Sequence, residues 1–156
     1  MDKKALLKKM KWQLFLLGKF KIPMLGFTGL RLVDINDTTA QVRIKLKRRN
    51  KNHLNSMYFG ALAVGADVAA GIHAFYFATI HQKKVSFAFK GMSCEFIKRA
   101  ESDCLFVSDD GRKVEAAIQK SIATGERVNE TTRVNVYNTD QELVATFDMI
   151  VSVKCK

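Results

Sequence analysis

The chain has 156 residues, 47% of them hydrophobic and 26% charged, with 26 Lys and Arg against 15 Asp and Glu for a net charge of +11. That length and apolar content suit one globular domain with a real core, and the absence of internal repeats, low-complexity tracts and Gly/Ser/Pro-rich linkers excludes a solenoid or a string of tethered modules. The positive excess sits at one end: residues 1–51 carry 14 basic and 3 acidic side chains, whereas residues 52–156 carry 12 of each.

In chain order, Leu6, Met10, Leu14 and Leu17 recur at helical spacing, with Lys4, Lys8 and Lys11 on another face. This predicts a basic amphipathic helix over about residues 5–17, within a basic N-terminal segment of residues 1–22. The apolar run Leu14-Phe15-Leu16-Leu17 is too short for a membrane span, and Lys19 and Lys21 follow it with no small-residue cleavage site. Pro23, Gly26 and Gly29 break the helix. Leu30 to Ile35 reads as a strand closed by Asn36-Asp37, and Ala40 to Lys47 alternates strictly between apolar and polar residues. The two form a predicted hairpin, whose period of two places Arg43, Lys45 and Lys47 on one face as a basic stripe.

The segment from Asn50 to Ala78 is the most informative. A polar loop with Asn52, His53 and Asn55 leads into a small-residue run from Gly60 to Phe77, in which Asp67 is the only acid. A helix that is apolar on most faces belongs in a protein interior, and a carboxylate within it is costly unless paired or functional. Asp67 could be structural, accepting hydrogen bonds from a neighbouring strand or subunit. Alternatively, a carboxylate, an amide side chain and the free N–H groups of a helix N-terminus are parts suited to activating water against a carbonyl. The run is long enough to suggest a membrane span, but Asp67, His73 and the many small residues favour a buried core helix.

Strands are expected at about Val85 to Lys98 and Cys104 to Ser108, then a turn at Asp109-Asp110-Gly111. Val114, Ala117, Ile118 and Ile122 have helical spacing that Gly125 can end, with a continuing strand as the alternative. Thr131 to Tyr137 and Leu143 to Val153 form a last pair around the turn Asn138-Thr139-Asp140-Gln141. Cys94, Cys104 and Cys155 are odd in number and scattered, giving neither a disulfide framework nor a zinc pattern. They point to a reducing compartment, the cytoplasm. Cys94 reads as a small core residue. His73 reads as packing and His81 as a helix-end residue, while His53 fits a backbone-binding loop role or a site role equally. No metal set and no cofactor fingerprint is visible. Phe75, Tyr76, Phe77, Phe87 and Phe89 suit core packing, with a few available to line an apolar tunnel.

The order of helix, hairpin, buried helix and four further strands predicts an α+β fold: an antiparallel sheet wrapped around one long central helix. The motifs agree. Asn52-His53-Leu54-Asn55-Ser56-Met57-Tyr58-Phe59-Gly60-Ala61-Leu62, followed by Ala66-Asp67-Val68-Ala69-Ala70-Gly71, resembles the signature of hotdog-fold acyl-CoA thioesterases of the phenylacetate-degradation type and their bacterial relatives. There the pattern is H-N-x-x-G, then H-G-G-A-L, then an acid in the helix. Asn52 falls on the Asn, Gly60 on the second Gly of the H-G-G step, and Asp67 on the helix acid. Lys51 replaces the first His, Asn55 the Gly, and Tyr58 and Phe59 the His and first Gly. Asn is the non-glycine residue that best tolerates a left-handed backbone, so the turn at Asn55 can survive. Phe87 to Ala100 is similar to the strand after the central helix in the same family.

The resemblance covers about residues 26–154 and implies a single hotdog domain over 1–156, assembled as a homodimer or a dimer of dimers. It implies hydrolysis of an acyl-CoA thioester without a cofactor. Asp67 would be base or nucleophile, Asn52 and His53 would assist, and Asn55, Tyr58, Phe59 and Gly60 would form the oxyanion and substrate-binding loop. Asn52 and Asp67 of one site would come from different subunits. Lys47, Arg48, Arg49 and Lys51 would steer the coenzyme A phosphates. Two other readings of the basic zone remain: a solvated face, or a surface for a polyanion. Nucleic acid is not expected, because the aromatic-plus-glycine strand motif of RNA binders and a helix-turn-helix are both missing. Contact with an anionic membrane surface through the N-terminal helix stays open. The runner-up function is a non-catalytic hotdog module that binds acyl-CoA or another acyl ligand.

Overall fold

The computed structural model describes residues 2–156. Helix α1 (Lys3–Leu16) runs into a π-helical turn (Leu17–Lys21) and the short α2 (Pro23–Phe27). Strands β1 (Arg31–Ile35) and β2 (Ala40–Ile44) follow, then a 3-10 turn (Arg48–Asn50) and the long α3 (Phe59–Ile80). The chain continues through β3 (Val85–Phe96), β4 (Cys104–Ser108), α4 (Gly111–Thr124), β5 (Val128–Tyr137) and β6 (Leu143–Cys155). The six strands make one sheet in the order β1-β2-β4-β5-β6-β3, with every pairing antiparallel.

The sheet wraps α3, as the sequence predicts. Ala66, Ala69, Ala70 and Ala74 on α3 are fully buried, facing a core that includes Val42, Ile44, Phe106, Val134 and Phe147. Small residues let the helix settle close to the strands. α3 is long and apolar enough to cross a membrane, but 78% of that apolar window is buried inside the protein, so it is a core helix. The alternation in Ala40–Ile44 buries Ala40, Val42 and Ile44 and turns Arg43 outward.

Some boundaries differ from the sequence reading. Pro23 does not merely end the first helix; it opens α2 at its first turn, where a missing N–H costs nothing. β2 stops at Ile44 rather than Lys47, because side chains take over the backbone donors there. Leu46 N–H donates to Asp103 Oδ1 at 2.9 Å and Lys47 N–H to Asn50 Oδ1 at 2.8 Å. Lys45 and Lys47 are exposed but lie beyond the strand, so the basic stripe is a strand-to-turn feature. The segment after Gly111 is helical, with Gly125 at φ 71° as its left-handed C-terminal cap.

Cys94 is exposed rather than a core residue. It lies on β3, the edge strand, beyond a bulge between Phe89 and Gly91. From Met92 to Phe96 every residue of β3 is exposed in the single chain, so strand alternation there carries no information about the core.

Candidate active site

Asp67 sits on the third turn of α3. It lines a cavity of about 690 Å³ between α3, the N-terminal helical segment and the start of β3. Met10, Leu14 and Leu17 form one wall, Val68, Gly71 and Phe75 another, and Val85 and Phe87 a third. Gly71 is needed for this shape: a Cβ there would lie 2.6 Å from the Phe87 ring. Among the described residues, the Asp67 carboxyl has no hydrogen-bond or ion-pair partner. Burial alone pushes it from the usual 3.8 up to about 6. An acid titrating near pH 6 is mostly ionised at neutrality yet close enough to it to exchange protons effectively.

The sequence pattern marks no site residue in the N-terminal helix, yet three residues of its apolar face, Met10, Leu14 and Leu17, supply a cavity wall. Gln13, Thr79, Lys83 and Lys84 are polar groups around the same cavity. Gln13 lies one residue off the apolar face of α1, and no pattern in the sequence marks the two lysines.

The loop before α3 is ordered by Asn52. Its Oδ1 accepts hydrogen bonds from Leu54 N–H at 2.9 Å, Ser56 N–H at 3.1 Å and Ser56 Oγ at 3.1 Å. Its Nδ2 has no hydrogen-bond partner among the described residues. Asn55 takes the left-handed conformation expected of it, at φ 58°. Asn50 is buried and holds the base of the loop, accepting from Lys47 N–H and donating to Lys45 O and Thr28 O at 2.8 and 3.2 Å. Asn50 lies just outside the motif, and part of its role depends on Thr28, 22 residues away.

At the start of α3, Tyr58 N–H donates to Asn50 O, and Ala61 N–H and Leu62 N–H both reach Tyr58 O. Among the described residues Phe59 N–H and Gly60 N–H have no acceptor, as the first turn of a helix leaves them. The Tyr58 ring folds over Gly60, where a Cβ would lie 2.4 Å from the ring. Tyr58 and Phe59 pack against each other with centroids 4.6 Å apart, and both rings are exposed. His53 is exposed, and its side chain makes no hydrogen bond among the described residues. Lys47, Arg48, Arg49 and Lys51 are exposed and form no ion pair among the described residues. The Arg49 guanidinium lies 5.9 Å from the Phe27 ring centroid.

Within one chain the expected site residues therefore fall into two separate groups. Asn52, His53, Asn55, Tyr58, Phe59, Gly60 and the four basic residues gather before and at the N-terminus of α3. Asp67 lies eight residues beyond Phe59, roughly 12 Å at helical rise, in a cavity that none of those residues lines. His73 is fully buried against Phe77, with Nε2 3.0 Å from Asn36 O, as a packing residue. Burial pushes the Cys104 thiol up to about 12, which keeps it from acting as a nucleophile. No group of three His, Cys, Asp or Glu able to hold a metal occurs among the described residues.

A family model described as a domain of unknown function, DUF4442, matches residues 11–153. No curated protein matches the sequence. Among solved structures, one similar to this chain is from Shewanella oneidensis, provisionally described as a thioesterase: 13% identical, with a TM-score of 0.80, covering 97% of this chain and 99% of that one. A protein of unknown function from Chlorobaculum tepidum is 13% identical with a TM-score of 0.82, covering 97% and 96%. A variant of a Pseudomonas aeruginosa thioesterase is 12% identical with a TM-score of 0.68, covering 96% and 94%. These likenesses show the fold: the chain has the hotdog fold, with its sheet wrapped around α3.

Proposed function

The chain belongs to the DUF4442 family, and from that premise we propose that it is an acyl-CoA thioesterase, hydrolysing a thioester to a free acid and coenzyme A. The observation that carries this reading is Asp67: a carboxyl with no partner among the described residues, raised to about 6, in the wall of a largely apolar cavity of which it is the one acid. Apolar walls suit an acyl tail, and a single titrating acid suits attack on the carbonyl at its end. Structural neighbours described as thioesterases support the same reaction class.

In this mechanism Asp67 removes a proton from water as that water attacks the thioester carbonyl, or attacks the carbonyl itself. The unpaired N–H groups of Phe59 and Gly60, at the positive end of the α3 dipole, hold the oxyanion. Asn52 keeps Oδ1 for its loop and offers Nδ2 to the substrate carbonyl or the water. The thiolate of coenzyme A leaves, and Lys47, Arg48, Arg49 and Lys51 hold its phosphates.

A complete site requires a second copy of the chain, in a homodimer or a dimer of dimers. The outer edge of β3 is unpaired, and Met92, Phe96 and Ile97 are exposed along it. Pairing two such edges covers apolar surface and satisfies the free backbone groups. It also offers a way to bring the Asn52 loop of one subunit to the Asp67 cavity of the other, which one chain does not do.

The deciding experiment is free-thiol release from acyl-CoAs of varied length, and from an aromatic one, for the native chain and Asp67→Asn. Turnover that vanishes in the variant supports the assignment. A folded dimer that turns over nothing, yet retains acyl-CoA, favours the binding-module reading. The Tyr58–Phe59 aromatic pair is the specific observation behind that second reading, because it occupies the place of the smaller, more polar H-G-G step.

A further inference from the structure

Helix α1 has two faces of different chemistry. At about 100° per residue, Leu6, Met10, Leu14 and Leu17 fall on the side turned to the protein. Lys8, Lys11, Trp12, Phe15 and Lys19 cluster on the opposite side. A solvated helix face is normally built from mixed charges; this one carries exposed aromatics and one sign of charge. On that face Trp12 is 60% and Phe15 45% exposed, and the turn and α2 that follow expose Phe20, Met24 and Phe27 as well. Trp12 stacks on Phe15 at 5.5 Å, and the Lys19 ammonium lies over both Phe15 and Phe20, so the rings and the charge form one continuous strip. Residues 3–27 contain seven lysines and no acid.

The strip borders a groove of about 880 Å³ between α1 and the edge strand β1. Leu14, Leu25, Leu30 and Leu32 line it on the apolar side, and Arg31 and Arg43 add two more cations. No carboxylate lines it. Arg31 and Arg43 are direct cross-strand partners. Like charges placed opposite each other repel, and among the described residues neither has an ion-pair partner, so the groove presents positive charge that the chain itself leaves uncompensated.

We propose that this aromatic and lysine-rich face of the N-terminal helical segment docks on the surface of an anionic phospholipid bilayer, with lipid phosphates between the lysines and arginines and the rings at the headgroup boundary. Interfacial helices combine basic side chains with Trp and Phe in this way. The long lysine stems lie along apolar surface while their ammonium groups reach the phosphates. A second copy of the chain is a poor occupant, because an isologous contact would set this cationic face against itself. Leu14 and Leu25 line both this groove and the Asp67 cavity, so the docked face and the cavity share a wall.

Trp12 is the only tryptophan in the chain, so its emission reads the docking directly and independently of any hydrolytic activity. The full-length protein is titrated with vesicles of equal parts phosphatidylglycerol and phosphatidylcholine, and with vesicles of phosphatidylcholine alone. The expected result is a blue shift of Trp12 emission and co-sedimentation with the anionic vesicles only, both reversed by high salt. Replacing Lys8, Lys11 and Lys19 together by Gln weakens partitioning on the order of a hundredfold, and Phe20→Ser with Met24→Ser removes much of the blue shift. All five positions are exposed, and an unchanged melting curve verifies that each variant is folded. Unshifted emission with anionic vesicles overturns the proposal. So does equal binding to the neutral ones. A single-stranded DNA oligomer that produces the same emission change and competes off the vesicles also overturns it, assigning the face to nucleic acid. Self-association that buries Trp12 without lipid overturns it in favour of a second copy.

Discussion

The ring of Phe106 lies directly under the backbone of Gly65: a Cβ added to Gly65 would be 2.3 Å from the ring tip and within 2.6 Å of two further ring atoms. Phe106 is fully buried on β4, so the ring has nowhere to turn. Gly65→Ala therefore sets two effects against each other. Alanine gains about 1 kcal/mol of helix propensity, while overpacking a filled core costs roughly 1–3 kcal/mol. The expected outcome is net destabilisation, read as a lower denaturation midpoint. Pairing Gly65→Ala with Phe106→Leu should recover part of the loss, since the second change removes the obstructing ring.

Asp67 is expected to trade stability for activity. Its carboxyl holds its proton more tightly in the folded chain than in the unfolded one, rising from 3.8 to about 6. The stability gained from that proton is present below pH 3.8 and is lost as pH rises through about 6. At 1.36 kcal/mol per pH unit, that is at most roughly 3 kcal/mol. Asp67→Asn should abolish thioester hydrolysis while raising the melting temperature at pH 7 and leaving it little changed at pH 4. In the native protein, kcat/KM should climb along one acid limb centred near pH 6. A rate without that limb removes Asp67 from the chemistry.

His73 sets an opposite trend. Burial holds its imidazole below the usual 6.5, against the Asn36 carbonyl and the carboxylates of Asp37, Asp110 and Asp109, which favour the cation. A depressed pKa in the folded state means that stability is intact above pH 6.5 and is lost as pH falls below it toward the folded value. Unfolding followed against pH should show this acid-side loss, reduced in His73→Phe. Phe keeps the stacking against Phe77 and gives up the contact with Asn36 O. If the two proteins lose stability in parallel between pH 6.5 and 5, the His73 assignment fails.

What the sequence could show divides by range of interaction. α1, the hairpin, the buried α3 and the helical α4 follow from periodicity and turn residues, because each buries a face against the core. Asn55 at a positive φ and Gly125 as a helix cap follow from local backbone sterics. Asp67 stands out because a charge in an apolar run is rare. The early end of β2 was not legible: it depends on Asp103 capturing the Leu46 N–H across 57 residues. Alternation places Cys94 in the core because it presumes a packed face, and the second half of β3 has none within one chain. The division of the site follows from the same cause: a sequence lists residues that a single fold holds apart on either end of two turns of α3.

Asn50 carries a prediction about the loop that feeds the proposed oxyanion donors. Its side chain accepts from Lys47 N–H and donates to Lys45 O and Thr28 O, and its own carbonyl receives Tyr58 N–H. Asn50→Ala leaves three backbone groups without partners, two of them carbonyls held under the loop. Each such group costs roughly 1–3 kcal/mol where water cannot reach it. The total should fall short of the sum, because the loop can open to solvent. Asn50→Asp keeps the acceptor and loses both donated bonds, placing a negative charge against two carbonyls, and should be at least as damaging. Amide hydrogen exchange across residues 45–60 should accelerate in both variants, while α4 and β5 keep their protection. Exchange that rises equally everywhere would mean that Asn50 supports the whole fold rather than the loop, and the link from Asn50 to the start of α3 would fall.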